Sequence, residues 1–372
     1  MANLVLGPLL RYVSDTEATV WVETDAACEV EVLDERARAF EVAHHHYALV
    51  CIDGLEPGGV REYEVALDGE TVWPPAGTDF PPSAIGALEP DGKVDLVFGS
   101  CRVSLPHEPP YTLTKDENEP GREVDALYVL GRQMLRGDRS DFPEAILMLG
   151  DQVYADEVPP NVREFIAKRR GDRTGEDEAP LDEVADFEEY TRLYYGAWSQ
   201  PVIRWLLSTV SSSLVFDDHD MHDDWNILRS WVADMRGKPW WQERVVGGFT
   251  SYWVYQHIGN LSLRELAEDE TYRGGLGRRR RCHADPARVR LARGSGDGGH
   301  AMQHLPRHRA DAGDHHGLAR GPGAGARSPL DLRGCRMGLD RRARDGRFRP
   351  PRDRHLVAVP ARPRDALPGG VV

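Results

Sequence analysis

Residues 214–226 read Leu-Val-Phe-Asp-Asp-His-Asp-Met-His-Asp-Asp-Trp-Asn, a short apolar run that breaks into five aspartates and two histidines within eight residues. Carboxylates crowded this closely repel one another unless a cation neutralises them. An acidic run is most often a solvated face. Here, though, the run abuts a strand-like segment and is followed by Trp225, Ile227 and Leu228, side chains that favour burial. Charges set among buried apolar residues must be paired or metal-bound. The segment therefore reads as a metal site at the end of a buried strand.

The chain has 372 residues, 40% of them hydrophobic, enough for a sizeable core and for more than one domain. Its start, MANLVLGPLL, has no basic leader, long apolar core or twin arginine, and no later window reaches the length of a membrane span. A cytoplasmic protein is expected. The five cysteines, at 28, 51, 101, 282 and 335, are scattered without CxxC spacing, which argues against a disulfide framework or a zinc ribbon.

The net charge of −15 conceals two opposed halves. Residues 1–272 carry 23 Lys and Arg against 52 Asp and Glu, net −29, whereas residues 273–372 carry 23 Arg and nine Asp, net +14. After Arg273 the sequence has no Ile, Asn, Tyr, Trp, Thr, Glu or Lys. A basic arm that binds nucleic acid would mix lysine with arginine, and a disordered linker would be richer in Ser, Glu and Lys. Arg, Gly, Ala and Pro share GC-rich codons, so residues 273–372 read best as an out-of-frame translation, disordered and without evolved function.

Residues 4–72 alternate as an all-β unit. Strands are expected at Ala18–Glu23, Cys28–Leu33, Tyr47–Ile52 and Tyr63–Leu67, with turns at Glu56-Pro57-Gly58-Gly59 and Asp68-Gly69. The spacing points to a β-sandwich of immunoglobulin or fibronectin type III kind over 1–80. The phrase Gly54-Leu55-Glu56-Pro57-Gly58 before Tyr63 resembles a turn of the latter. His44-His45-His46 reads as a turn or edge. Residues 81–93 close a stretch rich in Pro, Gly and Ala and read as a linker.

From residue 94 to 272 the pattern becomes α/β. Apolar runs Val94–Phe98, Ala145–Leu149 and Leu214–Phe216 alternate with helical segments at Val124–Arg136 and Val184–Trp198, which implies a parallel or mixed sheet. Each run leads at once into polar residues: Gly99-Ser100-Cys101-Arg102, Gly150-Asp151-Gln152-Val153-Tyr154 and Asp217-Asp218-His219. Ligands of such sheets sit beyond the carboxyl ends of the strands, so these residues should converge. Together Cys101, Asp151, Tyr154, Asp218 and His219 offer thiolate, carboxylate, phenolate and imidazole. That set suits iron, while carboxylates alone would suit calcium, magnesium or manganese. Asp151 is the natural bridge of a two-metal centre, which favours in-line displacement at phosphorus.

The segments FGSCR (98–102), LGDQVYADE (149–157), FDDHDMHDDWN (216–226) and YQHIGNLS (255–262), in this order, resemble the alkaline phosphatase D (PhoD-like) branch of the metallophosphoesterases. The resemblance covers about residues 1–272. It implies a β-sandwich followed by a four-layer α/β/β/α catalytic domain, and a metal-dependent phosphomonoesterase or phosphodiesterase acting through a metal-activated water on a small phosphate ester. It further implies that Cys101, Asp151 and Tyr154 hold iron, that Asp218 ligates the neighbouring metal, and that His219 stabilises the transition state or protonates the leaving oxygen. Asp223 or Asp224 would hold a further divalent ion, calcium. Asp217, Asp220 and His222 would orient ligands, and Arg102 would either clamp phosphate or form a salt bridge.

Family members continue with a strand ending in Asp-Ser-Arg or Asp-Thr-Arg and a later histidine block after Gly-Asp. Neither follows residue 272. Gly313-Asp314-His315-His316 lacks a preceding apolar strand and reads as a chance likeness. The catalytic domain is thus incomplete, and an impaired enzyme is expected. Two other readings are a binding sandwich attached to a non-catalytic remnant, and a basic tail that binds nucleic acid.

Overall fold

The structure, a computed structural model, describes residues 1–171, 175, 177–275 and 356–358. Two four-stranded antiparallel sheets and a two-stranded one form the N-terminal half. One four-stranded sheet holds β1 (Leu4–Val13), β2 (Glu17–Thr24), β6 (His45–Asp53) and β5 (Phe40–Val42), in that order. The other holds β4 (Glu35–Arg38), β3 (Glu29–Val32), β8 (Val65–Leu67) and β9 (Glu70–Trp73). Asp68 (φ 49°) and Gly69 (φ 88°) make the two-residue turn between β8 and β9, the left-handed pair that suits the twist of a hairpin. Ala43 (φ 47°) and His44 (φ 71°) turn β5 into β6 in the same way, so the histidine triplet spans a turn and the start of a strand.

Strand β2 explains why this half does not stand apart. Its even positions, Ala18, Val20 and Val22, fill the sandwich core with Val30, Val50 and Leu67. Its odd positions, Thr19, Trp21 and Glu23, are buried as well, because that face packs on the second half of the chain. Trp21 belongs to the same apolar cluster as Met148, Tyr194 and Leu214. Residues 81–93 are not a free linker either. β10 (Ala84–Gly86) pairs antiparallel with β7 (Val60–Glu62), and Ile85 is buried in the sandwich core. Burial of its apolar side chain outweighs the loop-like composition around it.

The second half builds a parallel sheet from β11 (Leu96–Gly99), β12 (Ala145–Leu149) and β13 (Ser211–Val215), ordered β13-β12-β11. Between them run α1 (Ala126–Met134), α2 (Pro160–Arg170), α3 (Phe187–Trp198) and α4 (Pro201–Thr209). Asp125 caps α1 by accepting from Leu127 N, and Asp186 caps α3 by accepting from Glu189 N. Then follow α5 (Arg229–Arg236), α6 (Trp241–Ser251), a π-helical turn at Tyr252–His257, α7 (Leu263–Glu268) and α8 (Glu270–Gly275). One residue set expected to be buried is not: Trp225 is 7% exposed, but Ile227 and Leu228 are 65% and 61% exposed, because they lie in the loop leading to α5 and meet no apolar partner layer.

The expected out-of-frame tail, 273–372, falls outside the described residues apart from two pieces. Arg273–Gly275 continue α8, and β14 (Leu356–Ala358) pairs parallel with β11 at the sheet edge. Those three strand residues depart from the expectation of a wholly disordered tail; they are an apolar run, Leu-Val-Ala, of the kind a sheet edge accepts. The GDHH segment lies outside the described residues. Among the described residues, no helix is long and apolar enough to cross a membrane, and the second half contains a single sheet.

The halves are joined by buried polar contacts. Arg11 of β1 is fully buried and donates four hydrogen bonds: Nε to Ser212 O (3.0 Å), NH1 to Tyr255 O (2.7 Å), and NH2 to Gln256 O (2.9 Å) and Asn260 Oδ1 (3.0 Å). Trp21 Nε1 donates to Val254 O (2.9 Å). Three successive carbonyls of the π-helical turn are therefore capped by the sandwich. Asn260 completes the junction by pairing with both the N–H and the C=O of Leu214 in β13 (3.1 and 2.7 Å). Ser211 and Ser212 donate their hydroxyls to the carbonyls of Arg11 and Leu10 (2.7 and 3.2 Å). Burial lowers the Arg11 guanidinium to about 9, still charged at neutral pH. At Gly259 a Cβ would lie 2.6 Å from Arg11 Cζ, so the glycine makes room for the guanidinium.

Arg11→Leu would remove four buried hydrogen bonds, at about 1–3 kcal/mol for each carbonyl left unsatisfied. A stability loss of at least ~3 kcal/mol is expected in urea unfolding. His45 sets a second test. Its ring nitrogens face Glu23 (3.2 Å) and Glu188 (2.8 Å), so the imidazolium donates to both. Glu23 chiefly raises it, against burial and with help from Glu188, to about 8. The folded value exceeds the unfolded one, so this contribution is complete below about pH 6.5 and lost as pH rises through about 8. Urea midpoints should fall across that window, and His45→Gln should flatten the fall.

Candidate metal centre

Because β11, β12 and β13 are parallel neighbours, their carboxyl ends open at one edge of the sheet. Chain leaving β12 passes through Gly150 (φ 105°) and Asp151 (φ 49°), and chain leaving β11 passes through Cys101 (φ 56°). Non-glycine residues rarely adopt such values, and they concentrate at functional sites. Backbone bonds lock the two exits together: Cys101 N donates to Gly150 O (3.2 Å) and Arg102 N to Asp151 O (3.1 Å). A Cβ on Gly150 would lie 2.6 Å from Asp217 Cβ, so the exits of β12 and β13 approach closer than any other residue there allows.

Asp151, Asp218 and His219 each bring a potential ligand atom within 4.8 Å of the others. Cys101 joins them, its Sγ donating to Asp151 Oδ2 at 3.1 Å. Tyr154 completes the group. Its ring lies against the His219 imidazole, centroids 4.4 Å apart at 33°, and its hydroxyl lies close enough to Cys101 for the two groups to influence each other's titration. Asp151 is 4% exposed. Burial pushes its carboxyl up, and the charges of Asp217 and Asp218 add to the rise. Burial also raises the Cys101 thiol and the Tyr154 phenol. Each must give up its proton to serve as a ligand, so a cation of high charge density is the partner that matches this set.

A second acidic group, Asp218, Asp223 and Asp224, shares Asp218 with the first and is more exposed. Asp224 (φ 52°) donates its N–H to Asp218 Oδ2 (3.0 Å). The structure thus divides the aspartates of 217–224 by role. Asp217 and Asp220 form a reciprocal cap around the 3-10 turn Asp218–Asp220, with Asp217 N donating to Asp220 Oδ2 (3.0 Å). Asp220 points inward, is 2% exposed and is raised by burial to about 8. Gln256 Nε2 donates to it (3.0 Å), and the hydroxyl of Tyr190 and the guanidinium of Arg244 bond the neighbouring carbonyls of Asp220 and Met221 (3.0 Å each).

Arg102 turns away from the cluster. Its Nε and NH2 pair with Asp125 (2.9 Å each) and its NH1 bonds Ala197 O (2.9 Å), so of the two expected roles it occupies the salt bridge. His222 bonds the carbonyl of Asp223 and rests against Trp231.

Asp156 is the site residue that sequence reasoning passed over. Its carboxylate receives His219 Nδ1 (2.9 Å) and the N–H of Asp223 (2.7 Å), orienting the imidazole with Nε2 on the side of Asp223 (Oδ1 at 4.0 Å). Burial would lower His219, but Asp156 outweighs it, and the pKa stands above the ordinary value. The available signal was its place in LGDQVYADE, two residues past Tyr154 and within the quoted motif.

Residues 1–85 match a family described as Domain of unknown function (DUF7800). No curated protein matches the chain. Among solved structures, one titled Structure of PhoD is similar, with a TM-score of 0.44 and 16% identity over 68% of this chain and 46% of that one. The chain therefore spans somewhat less than half the length of that structure.

Asp156→Asn removes the charge that raises the His219 pKa. Proton NMR titration of the metal-free protein should place the His219 pKa lower in the variant than in the parent, and equal values would remove Asp156 from this role.

Proposed function

We propose that the chain is a metal-dependent phosphoric ester hydrolase, a phosphomonoesterase or phosphodiesterase, with activity reduced by ligands missing after residue 272. The observation that carries this is the meeting of Cys101, Asp151, Tyr154, Asp218 and His219 at the ends of three adjacent parallel strands. The motif resemblance to PhoD-like metallophosphoesterases supports the same reading; of the two sheets that a four-layer α/β/β/α domain would pack together, the described residues hold one.

The donor set fits the cations this reading requires. Cys101, Asp151 and Tyr154 would hold iron, and Asp218 with Asp223 or Asp224 would hold a divalent ion, calcium. Bound there, the metals would supply positive charge for the phosphate oxygens and acidify a water.

The chain's own residues divide the remaining work. Asp151 faces both the Cys101 and the Asp218–His219 sides, with Oδ2 toward the thiol and Oδ1 accepting the His219 N–H (3.2 Å), which suits a bridging carboxylate. His219, oriented through Nδ1 by Asp156, which also raises its pKa, would present Nε2 as a proton donor to a leaving oxygen. Asp217 and Asp220 keep the loop in its turn without taking part in the reaction.

Elemental analysis of the purified protein should find iron and calcium, and 4-nitrophenyl phosphate or its bis ester should be hydrolysed in a chelator-sensitive way. Asp151→Asn should lose bound metal together with turnover. Asp156→Asn should keep the metal and lower kcat by about 10- to 100-fold. Protein free of both iron and turnover would sink the proposal.

A further inference from the structure

His45 opens β6 at the seam between the sandwich and α3, and both of its ring nitrogens meet carboxylates. Nδ1 lies 3.2 Å from Glu23 of β2, and Nε2 lies 2.8 Å from Glu188 in the first turn of α3. The two acids differ in their freedom. The Glu23 side chain is 3% exposed and also accepts the hydroxyl of Tyr255 (2.9 Å). The Glu188 side chain is 46% exposed and has no second donor among the described residues. Nothing else beside the ring could replace its proton: Tyr47 lies at 6.4 Å, Phe187 meets it edge-on at 5.8 Å, and Glu41 of β5 faces His44 (3.2 Å).

Only an imidazolium donates from both nitrogens. The neutral ring has one N–H, and its second nitrogen would turn a lone pair toward a carboxylate oxygen. Loss of the proton therefore breaks one contact. Glu23 is buried and keeps its place, so Glu188 is the partner released into water. The release matters because of what α3 carries. Tyr190, in the turn that Glu188 begins, donates its hydroxyl to Asp220 O (3.0 Å). Tyr194, one turn further, accepts from Gln256 Nε2 (2.7 Å), the amide that also donates to Asp220 Oδ1 (3.0 Å). Both routes from α3 end on Asp220, the inward residue of the acidic turn.

We infer that His45 is a pH-sensitive latch on the acidic turn: protonated, it ties the first turn of α3 to the sandwich and keeps residues 217–221 in order, and neutral, it releases Glu188 and the turn loosens. Glu23, with help from Glu188, raises the imidazole to about 8 against the ordinary 6.5. The tie is therefore complete below about pH 6.5 and lost as pH rises through about 8. The latch is closed at neutral pH and opens on the alkaline side. It requires neither a bound metal nor phosphoesterase activity.

Amide hydrogen exchange of the full chain follows both segments, expressed as protection factors so that the pH dependence of intrinsic exchange cancels. Between about pH 7 and about pH 9, protection over 187–191 and over 217–221 should fall together by about 10-fold, the factor that one pKa unit carries. Protection in β2 should stay constant. Glu188→Gln is the matched variant: its amide accepts from the imidazolium and donates to the neutral ring, so the contact persists in both states and both falls should vanish. Asp220, itself raised to about 8, titrates in parent and variant alike, so the difference between them belongs to the latch. Three outcomes would overturn it: constant protection in the parent, a fall over 187–191 that leaves 217–221 unchanged, or an equal fall in the Glu188→Gln variant.

Discussion

A fully buried guanidinium with no carboxylate partner among the described residues is the contact on which this architecture depends. Arg11 projects from the first strand of the sandwich and finds only carbonyl oxygens and one side-chain amide. Removing a charge from water is costly unless every donor is satisfied. Here the donors are spent on Ser212 in the edge strand β13 and on the π-helical turn Tyr252–His257. Two elements far apart in sequence are thereby fixed to one side chain. A π-helical turn leaves backbone groups out of the normal helical ladder, and Trp21 and Arg11 together occupy the carbonyls it presents.

That anchorage reaches the acidic loop through Gln256. Its carbonyl accepts from Arg11, and its side chain donates to Asp220, the inward-facing member of the cap that shapes 217–220. Tyr194 joins the same amide (2.7 Å) and stacks on Tyr255 at 4.3 Å. The outward aspartates can repel one another without the loop opening, because the inward one, Asp220, is bonded on several sides. The loop thus sets one interior carboxylate, Asp220, satisfied by protein donors, beneath outward ones free to meet cations.

Much of this was legible in the sequence. The runs ending at Phe98, Leu149 and Phe216 announced three strands whose polar sequels would converge, and Asp68-Gly69 announced its hairpin. Other features lay beyond pattern reading for physical reasons. β13 begins at Ser211, and its serines look like loop because their hydroxyls are satisfied by carbonyls of β1, contacts no periodicity contains. Ile85 looked like linker because its strand has three residues, too few for alternation. The aspartates of 217–224 are alike in composition, and only the turn decides which face inward. Asp156 was hidden for the same reason: its role appears once His219 is folded against it.

The fit between Arg11 and Gly259 also constrains inheritance. A guanidinium in that position requires a bare α-carbon opposite it, since a methyl group would overlap Arg11 Cζ. Neither position can drift alone without leaving a clash or a hollow filled with unpaired carbonyls. The sandwich and the sheet therefore behave as one heritable object, and exchange of the sandwich for another of the same fold succeeds only when the arginine travels with it.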